Sequence, residues 1–194
     1  DADDLTINKL SIRDITILFH EYIHFLQDIT TYYGLNGIYV HSEYLHSVVN
    51  RIYKIDEPFF RVPFKIEDNN DNVILNKKIV AITLGDTSSL TRFEIKTIIE
   101  SNAPLLIKND YMDEIPEVMI QTKQDDYISF GAKAIMENMA DLLERLCSPR
   151  GYQKSHEYPY YAAEKVAAYY STDFASNPLY VLALCDMSLQ SSNP

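Results

Sequence analysis

The chain has 194 residues, of which 46% are hydrophobic and 12% aromatic, enough apolar material for the core of one ordinary domain and too much for a disordered segment. A net charge of -11 argues against nucleic acid or an anionic membrane surface as the main partner, because either calls for basic patches that the sequence does not show. No apolar run approaches the roughly 20 residues of a membrane-spanning helix, Asp1-Ala-Asp-Asp4 is the opposite of a basic signal-peptide start, and the two cysteines, Cys147 and Cys185, read as free thiols of a cytoplasmic protein.

The first predicted element is a helix. Ser11 followed by Asp14 is close to a capping-box start, and apolar or aromatic residues then recur at Ile12, Ile15, Phe19, Tyr22, Leu26, Ile29 and Tyr33. Gly34 and Gly37 supply the stop. Ile17, Leu18, Ile23 and Phe25 add apolar surface outside that stripe, so the helix is expected to be buried on most sides. Inside it lies His20-Glu21-Tyr22-Ile23-His24, an H-E-x-x-H motif. Four residues make about one helical turn, which puts both imidazoles on one face, while Glu21 projects about 100° away. Two imidazoles and a neighbouring carboxylate so arranged suit a zinc hydrolase: zinc takes three protein ligands, keeps a fourth position for water and acidifies that water, whose proton the carboxylate accepts. The alternative is a pair of hydrogen-bonded histidines on a core helix.

A second helix is expected over 38–53, carrying His41, Glu43 and His46. Residues 55–128 change character. Pro58, Pro63 and the polar run Glu67-Asp-Asn-Asn-Asp-Asn72 separate β-like stretches at 59–66, 78–84, 105–108 and 118–122, with one helical piece at 90–100. From 129 to 194 helices return, at 130–147, 159–172 and 178–190. The whole reads as a single α+β domain over 1–194, a small, mostly antiparallel sheet inserted between helical zones 1–54 and 129–194, and neither end looks like a natural terminus, so the chain is expected to be one part of a larger protein.

Two residues compete as third ligand. Glu43 follows His24 with 18 residues between, a spacing seen in one large group of zinc aminopeptidases, and its other reading is a solvated polar face. Glu137 shares a helical face with Asp141 in Glu137-Asn-Met-Ala-Asp141, surrounded by Ala134, Ile135, Met136, Met139, Ala140, Leu142 and Leu143. Carboxylates on so apolar a helix need a metal or a hydrogen-bond partner: zinc for Glu137, and a ring N–H of His20 for Asp141. Asp28, one turn after His24, reads as a helix-end residue, with bracing of a ligand as the alternative.

H-E-x-x-H followed by E-x-x-x-D resembles the gluzincin metallopeptidases, and Glu137-Asn-Met-Ala-Asp141 is similar to the E-N-x-A-D segment of the neprilysin-type members. The run His20-Glu-Tyr-Ile-His-Phe-Leu-Gln-Asp28 is similar to the active helix of thermolysin-type enzymes. The resemblance covers about a fifth of the chain, and the 112 residues between His24 and Glu137 far exceed the thermolysin-type spacing. It implies a zincin-like fold, His20, His24 and Glu137 as zinc ligands, Glu21 as catalytic base and Asp141 as the residue orienting a ligand. Peptidases of this kind also use a His, Tyr or Arg to stabilise the oxyanion, for which His156 and Tyr160 in His156-Glu-Tyr-Pro-Tyr160-Tyr161 are the candidates; with 15 tyrosines in the chain, the competing reading of that cluster is core packing.

The expected function is hydrolysis of peptide bonds in peptide or protein substrates by a zinc metallopeptidase. The alternatives are a non-catalytic zincin-like module that binds or regulates a partner, and a zinc hydrolase of a non-peptide amide. A peptidase free in the cytoplasm needs restraint, so a regulatory domain or partner protein is also expected.

Overall fold

Ser11 opens the first helix as the sequence indicates. In a computed structural model, which describes residues 10–54, 71–86, 93–107, 110–147 and 156–194, the Ser11 hydroxyl accepts from the Asp14 amide at 3.2 Å and the Asp14 carboxylate accepts from the Ser11 amide at 3.1 Å, a complete capping box. The helix, α1 (Ile12–Thr30), ends at Thr31 and not at the glycines. Thr31 is extended; its hydroxyl donates to the Gln27 carbonyl at 2.6 Å and accepts from the Gly34 amide at 3.0 Å. One side chain thus closes α1 and caps the next helix, α2 (Tyr32–Tyr53), which begins six residues before the expected 38. Gly34 lies in the first turn of α2, where a Cβ would sit 2.5 Å from the Gln27 carbonyl oxygen. Its role is close approach of the two helices.

The middle of the chain departs from expectation at two places. Residues 78–84, read as a strand, belong to helix α3 (Asp71–Leu84). Residues 95–100, read as helical, open strand β1 (Ile95–Ile107), which pairs antiparallel with β2 (Asp110–Thr122), itself paired antiparallel with β3 (Tyr127–Phe130). A short apolar run is compatible with either structure. The 78–84 run becomes a helix because it packs on α2, where Tyr33 donates its hydroxyl to the Val80 carbonyl at 3.2 Å. The 95–100 run becomes a strand because Ile98 pairs with Ile120, which in turn pairs with Ile128. The expected strands at 105–108 and 118–122 fall in β1 and β2, apart from residue 108, which lies outside the described residues together with the expected strand 59–66 and the start of the 90–100 piece.

The last third is helical as expected, with α4 (Ala132–Cys147), α5 (Ala162–Tyr170), the single turn α6 (Thr172–Ala175) and α7 (Pro178–Leu189). Helix α4 is the central element. Ala132, Ile135 and Leu142 pack with Tyr33, Ala163, Ala167, Val181, Cys185 and Leu189. Its Ala134 joins Ile120 and Ile128 of the sheet, along with Tyr158 and Ala162. Gly85, with φ of 78°, and Gly131 allow the end of α3 to cross the start of α4, since a Cβ on Gly131 would stand 2.5 Å from the Thr83 carbonyl. The described residues thus form an α+β fold of seven helices and one three-stranded antiparallel sheet. No helix among them is long and apolar enough to cross a membrane. Cys147 and Cys185 are unpaired.

Helix α1 does not bury most of its surface. Ile12, Ile15, Ile17, Leu18, Tyr22, Phe25 and Ile29 are exposed, and its buried residues are Thr16, Ile23 and Gln27. The inward face therefore carries the polar Thr16 and Gln27 beside a single buried apolar residue, Ile23. It turns toward α4 because the hydrogen bonds described next draw it there.

Candidate metal centre

Gln27 of α1 donates its amide nitrogen to the Met136 carbonyl of α4 at 3.0 Å, while His20, seven residues earlier, meets Glu144, eight residues later, at 3.2 Å. These contacts run in opposite order along the two helices, so α1 and α4 lie antiparallel. Each interval spans about 11 to 12 Å at 1.5 Å per residue, and the two helices stay in register over that length. Between the two contacts sit His24 and Glu137.

His20 and His24 bring their Nε2 atoms to 3.1 Å from each other. One Glu137 oxygen lies 3.4 Å from the first and 3.5 Å from the second. Four-coordinate zinc with bonds of about 2.0 to 2.1 Å to nitrogen and oxygen requires ligand atoms about 3.3 Å apart. The triangle therefore has the size of one face of a zinc tetrahedron. Among the described residues this is the group of His, Cys, Asp or Glu side chains close enough to share an ion.

Hydrogen bonds on the far sides of the rings decide which nitrogens carry protons. Because Gln27 gives its NH2 to Met136, its carbonyl oxygen faces His24 Nδ1 at 2.8 Å and can only accept. His24 thus carries its proton on Nδ1. The Glu144 carboxylate faces His20 Nδ1 at 3.2 Å and fixes that ring the same way. In the neutral rings both Nε2 atoms then present lone pairs to each other and to the Glu137 oxygen. Three acceptors facing one point repel unless a cation or protons stand between them, so this donor set fits a divalent metal.

Without a cation, protons take that place. Burial works against ionisation of Glu137, but the two imidazoles bonded to it outweigh burial and hold its carboxyl down at about 2. Burial likewise opposes charge on His20 and His24; bonding to Glu137, with Gln27 also helping His24, lifts both above the ordinary imidazole value. The Glu144 carboxyl is pushed up by burial, with the Asp141 charge adding and His20 opposing.

Glu137-Asn-Met-Ala-Asp141 divides its labour in a way the spacing does not reveal. The carboxylate on His20 Nδ1 is Glu144, where the sequence reading had placed Asp141. Asp141, 1% exposed, accepts from Arg145 Nε at 2.8 Å. Arg145 also binds Glu164 and lies over the Tyr161 ring at 4.5 Å. Fully buried Asn138 donates to the Glu164 carboxylate at 3.0 Å and accepts from its amide at 2.9 Å. Asn138 and Asp141 therefore clamp the start of α5 onto α4. This sets the preceding turn, which carries Tyr160, beside the site. The Tyr160 ring lies edge-on to His20, 6.2 Å between centroids.

A polar recess of about 360 Å³ opens at this group, lined by Ile17, Glu21, Asp141, Glu144 and Tyr160 together with the three candidate ligands. His156, the other oxyanion candidate, is exposed and does not line it. Glu43, His41 and His46 are exposed on α2 and do not belong to the group. A second pocket, about 490 Å³, shares His24 and Glu137 and is walled by Ile38, Val80, Leu84 and Met136, with His41 and Asp28 also lining it. Sequence reasoning missed Gln27 and Glu144. Their signal was positional: each lies on the same helical face as the candidate ligands of its own helix, at i+3 from His24 and i+7 from Glu137. Comparison with models of known families, with characterised proteins and with solved structures finds no match to this chain.

Proposed function

We propose that the chain is a zinc-dependent peptidase of gluzincin type. The observation that carries this reading is the convergence of His20 Nε2, His24 Nε2 and a Glu137 oxygen, with both histidines fixed in the tautomer that presents lone pairs inward. Zinc held by these three residues supplies a Lewis acid that acidifies water and polarises a carbonyl. Glu21 lines the recess beside the ligands and is the residue to take the water's proton and return it to the leaving amine. Tyr160, which lines the same recess with its ring edge-on to His20, is the donor for the developing oxyanion. The apolar pocket sharing His24 and Glu137 seats a substrate side chain next to the scissile bond.

Glu21→Gln is the deciding variant. It should retain about one zinc per chain, measured by elemental mass spectrometry, and lose hydrolysis of a quenched fluorescent peptide library by a factor on the order of 100 or more. A variant that cleaves as fast as the parent removes Glu21 from the mechanism. A zinc-loaded parent that cleaves no peptide in the library leaves a metal-binding module without peptidase activity.

A further inference from the structure

Ile135 and Glu137 are two residues apart on α4, about 200° around the helix, so Ile135 points away from the metal group. On that far side lies a cavity of about 540 Å³, between β2, β3 and helices α5 to α7. Ile82, Val118, Phe130, Val166, Phe174 and Leu184 supply much of its wall. This volume is ordinary for a small-molecule pocket.

The polar groups in that wall are largely committed elsewhere. The Tyr170 hydroxyl donates to Glu100 at 2.7 Å, the Ser171 hydroxyl oxygen accepts from the Phe174 amide at 3.3 Å, and the Thr83 hydroxyl donates to the Ile79 carbonyl at 3.0 Å. Glu117 accepts from the Ser129 hydroxyl. Burial, with the Glu164 and Asp186 charges adding, pushes the Cys185 thiol up to about 12, so it is a neutral wall group and no nucleophile. A peptide backbone entering here would lose water from its amides with few partners to replace it. A carboxylate or phosphate would meet Glu117, the one charged residue lining the cavity among those described.

We infer that this cavity is a binding site for an uncharged, largely apolar small molecule such as an aliphatic alcohol, separate from the metal centre and independent of the peptidase reading. Apolar contact does the recognition, and the polar end of the ligand stays at the open mouth.

The full chain, zinc-loaded, is titrated with the neutral dye Nile red, followed by displacement with decanol or decanoate. The site predicts saturable binding of one dye per chain, displacement by decanol at concentrations at least tenfold below those needed with decanoate, and no change in Glu21→Gln. Val166→Trp and Leu184→Trp both fill the cavity. Leu184 is 42% exposed, so its variant is the one expected to fold whatever happens to the first. Each variant that keeps its parental circular dichroism should bind decanol at least tenfold more weakly. Leu18→Gln, on the exposed apolar face of α1, should bind as the parent does. Non-saturable dye uptake, equal binding in folded Leu184→Trp, tighter binding of decanoate than decanol, or loss of binding in Leu18→Gln overturns the inference.

Discussion

Glu144 and Asp141 are one turn apart on α4, and the structure gives them different work, which substitution can separate. Glu144 is bonded to His20 Nδ1 at 3.2 Å, with 16% of its side chain and 14% of that of His20 exposed. Glu144→Ala removes a charge-assisted hydrogen bond worth about 1.5 to 3 kcal/mol and frees the ring to turn or change tautomer. Since about 1.4 kcal/mol is a factor of ten, zinc affinity should fall roughly 10- to 100-fold, in line with the usual effect of losing a residue that supports a ligand. Asp141→Asn instead acts on Arg145, which keeps Glu164 as a partner. Its cost should appear in stability, about 1 to 3 kcal/mol, with zinc affinity changed by no more than about threefold. Competition against a chromophoric chelator at pH 7.5 measures the affinity, and urea unfolding of the same samples measures stability. A folded Asp141→Asn that loses more zinc affinity than Glu144→Ala refutes the assignment and restores Asp141 as the orienting residue.

Gln27 is 3% exposed and joins His24 Nδ1 to the Met136 carbonyl, so Gln27→Met leaves both groups without that partner. About 1 to 3 kcal/mol of stability and about tenfold in zinc affinity should be lost, and unchanged zinc affinity would detach Gln27 from the site. Gly34→Ala places a Cβ 2.5 Å from the Gln27 carbonyl and 2.6 Å from Asp28 backbone atoms, so urea unfolding should show about 1 to 3 kcal/mol of destabilisation from forcing α1 and α2 apart, whereas a neutral effect refutes the close crossing. In the metal-free protein, Glu137, held at about 2, stabilises the fold above its usual range near 4.5, and that contribution fades as pH falls toward 2. His20 and His24, raised above 6.5, stabilise it below 6.5 and lose that contribution as pH rises through their folded values. Metal-free stability from this cluster should therefore peak between about pH 4.5 and 6.5, while the rise in Tm on adding zinc, which displaces the imidazole protons, should be larger at pH 8 than at pH 5.5. An equal zinc-induced shift at both pH values would sever the link between these histidines and the metal.

The local parts of the centre were legible in the sequence because helical geometry is local. Ser11 and Asp14 mark the start of α1, four-residue spacing alone puts His20 and His24 on one face, and the small, apolar surroundings of Glu137 mark a buried helix that also carries carboxylates. The turn between α1 and α2 misled because glycine signals either a helix stop or a close contact, and at Gly34 the neighbouring backbone shows the second. Residues 78–84 and 95–100 misled because their apolar content suits helix or strand, and the choice was made by partners distant in sequence: Tyr33 on α2 for the first, Ile120 on β2 for the second.

By itself, then, the sequence determined an acidic α+β chain whose first helix presents two imidazoles on one side, and it offered Glu137, with Glu43 as its competitor, as the carboxylate to join them. Tertiary structure decided the rest. How far α1 slides along α4, and how each helix is turned about its axis, cannot be read from either helix alone. Those two quantities bring His20 Nε2, His24 Nε2 and Glu137 within 3.5 Å of one another, hand His20 Nδ1 to Glu144, and leave Asp141 to Arg145. One helical turn is only about 5.4 Å, so a slide of that size exchanges one carboxylate for the other, and only the packed helices fix it.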